Sequence, residues 1–128
     1  MADAESGPGW AEVVHSLSAR RERFHALVAD ALDALPPAIA ARMDNVVILV
    51  EDEGEPGTLG LYEGVSQTER DADYMMVAPD VITIYRAPIE ARARTPEDLE
   101  AEVRRTVWHE IAHHFGITDE QLEDMDRY

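Results

Sequence analysis

The chain has 128 residues, 45% of them hydrophobic and 30% charged, the size and balance of one folded domain with a modest core. Its formal net charge of −16 argues against nucleic acid or anionic lipid as a partner, because both require clustered Lys and Arg. It contains no cysteine, which excludes disulfides and thiolate metal sites and leaves only nitrogen and oxygen to hold any metal.

The opening MADAESGPGW has neither the basic nor the apolar region of a secretory signal, and no apolar run approaches the roughly 18 residues of a membrane span. The expected location is therefore the cytoplasm, with no membrane partner. Residues 1–9 are expected to form a flexible leader and 10–128 a single domain.

Apolar residues recur from Trp10 through Val13, Val14, Leu17, Phe24, Leu27, Val28, Ala31 and Leu32 to Leu35. This is the spacing of an amphipathic helix, and Pro36 and Pro37 stop it. A short helical stretch from Ala38 to Met43 is expected next. Val46 to Val50 is a β-branched run, closed by the acidic segment 51–57 with its Gly and Pro residues, and it predicts a buried strand. Leu59 to Gly64 predicts a short strand bounded by glycines, 66–79 a polar loop, and Val81 to Tyr85 a further strand before Arg86 and Pro88. Strands between two long helices suggest a helix packed behind a small mixed sheet, an α+β architecture.

The last long helix has well-marked ends. Thr95 suits an N-cap, Pro96 the first helical position, and Glu97 and Asp98 the positive helix terminus. Its expected end is near Phe115, with Gly116 supplying the left-handed residue that closes it. Thr118 and Gln121 then have the spacing of a capping box for a short terminal helix reaching toward Tyr128.

On this helix Leu99, Val103, Val107 and Ile111 form an apolar line that Trp108, Ala112 and Phe115 widen. His109 and His113 share a narrower polar sector with Glu102 and Thr106. Two imidazoles at i and i+4 can grip one metal ion, and the carboxylate of Glu110 can reach a water beside it. Two histidines seldom hold zinc alone, and Gly116 turns the chain where Asp119 can return as a third ligand. Asp119 also suits the first turn of the last helix on helix-dipole grounds, and the two roles are compatible. His114 is rotated toward the apolar side and is expected to pack behind the ligands.

The spacing His109-Glu110-x-x-His113-x-x-Gly116-x-x-Asp119 resembles the long metal motif of the metzincin side of the zincin peptidases, with aspartate in the final place as in aspzincin-type variants. Together with LGLYEG (59–64) and PDVITIYR (79–86), it is similar to the small bacterial zincin-like metallopeptidase family, from about Phe24 to Leu122. The resemblance implies a minimal zincin-like fold: an N-terminal backing helix, a small twisted mixed sheet, the motif helix and a short C-terminal helix. It also implies one Zn²⁺ and a peptide or protein substrate. Larger metzincins carry a methionine-bearing turn beneath the metal; nine residues follow Asp119 here, and Met125 or Tyr128 is the candidate for that place.

The expected activity is peptide-bond hydrolysis with Glu110 as general base. The expected assembly is a monomer or homodimer. Tyr62, Tyr85 and Arg70 are candidates to stabilise an oxyanion, and the edge at Leu59 to Glu63 is the candidate to bind an extended peptide. The alternative is a catalytically weak or inactive zincin-fold module that binds metal or peptide without turnover.

Overall fold

A computed structural model describes residues 10–64 and 79–121, with the side chains of 10–15 left aside. The expectations for the leader, for residues 66–78 of the polar loop with Arg70, and for the terminal residues Met125 and Tyr128 lie outside the described residues.

Helix α1 spans Trp10–Asp33 and ends before the paired prolines; the single turn α2 follows at Pro37–Ala40. Strands β1 (Val46–Glu51), β2 (Gly60–Glu63) and β3 (Asp80–Tyr85) come next, then helices α3 (Arg86–Arg92) and α4 (Pro96–His114). Thr95 caps α4 by accepting the Asp98 amide at 3.0 Å. The Thr118 and Gln121 capping box is closed from both sides: the Thr118 amide donates to Gln121 Oε1 at 2.9 Å and the Gln121 amide to Thr118 Oγ1 at 3.2 Å.

The sheet is mixed, in the order β1-β3-β2, with β1 parallel and β2 antiparallel to β3. One sheet face and the two long helices enclose the core: Phe24, Val28 and Ala31 from α1, Ile82 and Ile84 from β3, Ile89 from α3, and Leu99, Val103, Val107 and Ile111 from α4. The indole N–H of Trp108 donates to the Ala31 carbonyl at 3.2 Å and ties the helices together.

Two expectations need correction. The Val46–Val50 run is not a strand buried on both faces but an edge strand: Val46, Ile48 and Val50 turn inward, while Val47 and Leu49 stay 39% and 40% exposed. A continuous apolar run cannot say which strand takes the centre, and β3 takes it. The segment after β3, expected only as Arg86 and Pro88, is helix α3. Pro88 lies in its first turn, where a missing N–H breaks no helical bond. Buried Arg86 opens α3 and is held by Asp52 at 3.0 Å and Glu90 at 2.5 Å. Arg20 and Arg21 on α1 reach the same two carboxylates, so α3 is bound to α1 and to the end of β1.

Candidate metal centre

The end of α4 builds the site. The Gly116 amide donates to the His113 carbonyl at 2.9 Å and the Ile117 amide to the Ala112 carbonyl at 3.0 Å, with Gly116 at φ 84°. These paired bonds form a Schellman turn, which needs a left-handed residue at the glycine. The turn carries the chain back over the helix end, so the Ile117 carbonyl lies 2.8 Å from His113 Nδ1 and Asp119 faces both histidines.

Asp119 Oδ1 lies 3.0 Å from Nε2 of His109 and 3.0 Å from Nε2 of His113, and the two Nε2 atoms are 3.2 Å apart. Zinc bonds of about 2.0–2.1 Å at tetrahedral angles require donors about 3.3 Å apart, close to this triangle. The chemistry of the donor set also fits: a carboxylate oxygen and two imidazole nitrogens converge on one point, an arrangement that a cation or shared protons must hold together. With Nδ1–H of His113 donated to the Ile117 carbonyl, the lone pair falls on Nε2, as a ligand requires.

Glu110 stands beside this triangle with only 7% of its surface exposed. Burial pushes its carboxyl above the usual carboxylate range, opposed by His109 and His113 and assisted by Asp119. It fits beneath β2 because position 60 is glycine. A Cβ there would lie 3.0 Å from Glu110 Cγ, 3.1 Å from Thr106 Cγ2 and 3.2 Å from Glu110 Oε2.

Among the described residues strand β2 is an edge of the sheet, and it forms one wall of a cleft of about 740 Å³ whose other wall is α4 and the turn after it. The Leu59 carbonyl accepts from the Tyr85 amide at 2.9 Å. The antiparallel alternation therefore aims positions 59, 61 and 63 at β3 and turns the amide and carbonyl of Gly60 outward.

The other predicted site residues divide. Tyr62 lines the cleft, but its hydroxyl donates to Asp80 Oδ2 at 2.7 Å. His114 is fully buried, with Nδ1 2.8 Å from the same oxygen and its ring edge-on to Tyr62. Tyr85 is not brought to the cleft: it shares the opposite sheet face with Glu51 and its ring lies under Gly54. Sequence reasoning missed Gly60, Asp80 and the Ile117 carbonyl. An isolated glycine inside a strand pattern is a signal of close approach and points to the first; nothing local marks the other two.

Residues 43–128 match the zincin-like metallopeptidase family. The chain belongs to that family. The match starts at Met43 rather than Phe24, so the family likeness covers the sheet and the motif helix and leaves α1 outside it. Among solved structures, this zincin-like chain is similar to a conserved hypothetical protein of T. thermophilus, with 26% identity and a TM-score of 0.52, over 75% of this chain and 94% of that one. No curated protein matches it. Among the described residues no helix is long and apolar enough to cross a membrane.

Proposed function

We propose that this chain is a zinc-dependent endopeptidase, with His109, His113 and Asp119 holding one zinc ion and Glu110 as general base. A zinc ion so held supplies Lewis acidity, which polarises a peptide carbonyl and makes a water acidic near neutral pH. Gly60 presents main-chain donor and acceptor to an extended peptide, which adds to β2 as a further strand; antiparallel addition is the more stable form. This would hold the scissile bond beside His109, His113 and Asp119 without requiring a particular side chain. Glu110 takes the proton of the attacking water and passes it to the leaving amine, and its burial keeps it basic enough to do so.

The observation that carries this reading is the placement of the buried Glu110 carboxylate against the bare backbone of Gly60, beside the three converging donors. A purely structural metal site has no use for a carboxylate buried under an open strand edge.

The test is zinc content and hydrolysis of an unstructured polypeptide by wild type and Glu110→Gln. Both proteins should hold one zinc, and hydrolysis should fall by roughly 10² to 10⁴ in the variant, the usual loss on removing an acid–base group. Zinc retained with no Glu110-dependent cleavage would make the chain a metal- or peptide-binding module instead.

A further inference from the structure

We propose that Arg105 makes this cleft selective for peptides carrying a carboxylate two or three residues downstream of the cleaved bond, either an acidic side chain or the free chain end. This rests on the peptidase reading above and names the substrate class for it.

Arg105, His109 and His113 follow one another at four-residue steps and so lie along one stripe of α4. Arg105 is the only Lys or Arg among the described residues lining the cleft, and 67% of its side chain is exposed. In a chain of net charge −16 a cation in this position is not a background feature. Arg105 is braced without being neutralised. It bonds Glu102 through Nη1, and Glu102 also takes Arg92 at 3.2 Å, so two guanidinium groups share one carboxylate and the cluster keeps a positive charge. Guanidinium has five donors in a planar fork, and bracing one of them lowers the entropy lost when the others take a carboxylate.

The position downstream follows from chain direction. Gly60 of β2 lies over Thr106 and Glu110, and Tyr62 lies against His114. Strand β2 and helix α4 therefore run the same way. A peptide added antiparallel to β2 runs the opposite way, with its C-terminal part passing from the metal ligands toward Arg105. From the midpoint of His109 and His113 back to Arg105 is six residues, about 9 Å along a helix. An extended peptide covers that in about three residues at ~3.3 Å each, and an arginine side chain leaning toward the helix N-terminus keeps the reach on the downstream side.

The experiment measures kcat/KM on internally quenched peptides with one defined cleavage point. In one arm a single Glu is moved through the downstream positions of C-terminally amidated peptides; in the other, acid-free peptides end in a free carboxylate at the same positions. Wild type should prefer the carboxylate at the second or third downstream residue about threefold over the matched Gln or amide peptide, as an exposed charge-assisted pair provides. The preference should disappear in Arg105→Ala and invert toward Lys in Arg105→Glu, an inversion that a merely structural arginine would not produce. The arm that carries the preference decides between acidic side chain and chain end. Cleavage without any carboxylate preference, or a preference that survives Arg105→Ala, overturns the proposal while leaving the peptidase reading intact. If no peptide is cleaved by wild type and none binds zinc-loaded Glu110→Gln, both fall together.

Discussion

His113 and His114 are chain neighbours at the end of one helix and occupy opposite environments. The side chain of His113 is 22% exposed, shares a carboxylate oxygen with His109 in the cleft and is oriented by the Ile117 carbonyl. His114 is sealed in the interior, joined to Asp80, which also receives the Tyr62 hydroxyl. One residue of helix is a rotation of about 100°, enough to send identical side chains to the candidate metal site and to the core. The first arrangement leaves an open approach beside its donors; the second commits Asp80 Oδ2 to joining α4 with β2 and β3. An imidazole's role thus follows from what its carboxylate partner can still reach.

The largest expected effect breaks the comparison at both ends. His113→Ala should abolish stoichiometric zinc binding yet leave the unfolding free energy of the metal-free protein within about 1 kcal/mol of wild type, since it removes no core contact. Asp80→Ala should do the reverse, lowering that free energy by about 3 kcal/mol because it strands a buried imidazole and a phenol, with a smaller effect on zinc affinity. Zinc content and urea denaturation of the metal-free proteins measure both; equal losses in the two variants would mean that the sites are one cooperative unit.

A smaller effect sharpens the cleft side of the comparison. Gly60→Ala puts a methyl group against Glu110 and Thr106 and should displace the carboxylate by a few tenths of an ångström. Zinc content should hold while hydrolysis falls about tenfold, because small misplacements of a catalytic group are costly. Undiminished hydrolysis would show that Glu110 has room to move.

The smallest effect compares the sealed carboxylate of Asp80 with a wetter one. Hydrogen bonds from Arg21 and then Arg86 lower the Asp52 carboxyl to about 2. A folded-state value below the unfolded one, about 3.9, means that the stabilisation is complete above pH 4 and is lost as pH falls through about 2. Asp52 is 41% exposed as a side chain, so solvent screens its pairs and the contribution is small. Thermal melts of the metal-free protein between pH 4 and pH 2 should show a shallower loss for Asp52→Asn than for wild type; parallel curves would assign the acid sensitivity to other carboxylates.

Much of the site was legible because its signals are local. Helix periodicity places His109 and His113 one turn apart with Glu110 between them, and Thr95, Pro96 and Gly116 mark the ends of α4 through backbone rules that act within a few residues. The return of Asp119 follows from the turn at Gly116. These spacings are properties of the helix and its cap, whatever packs around them.

What the tertiary structure alone decided is non-local. The placing of β3 at the sheet centre and β2 at the edge beside α4 depends on strand pairing between segments far apart in sequence, and a β-branched run looks alike in either position. Asp80 meets His114 across 34 residues, and Tyr85 turns away from the cleft because strand alternation commits it to the other face. Gly60 matters only once β2 lies over Glu110. Short-range patterns determined the grouping of His109, His113 and Asp119, since a helix repeats every turn without help from its surroundings; which backbone and which charges face those three side chains was settled by packing, where distant segments compete for the same buried surface.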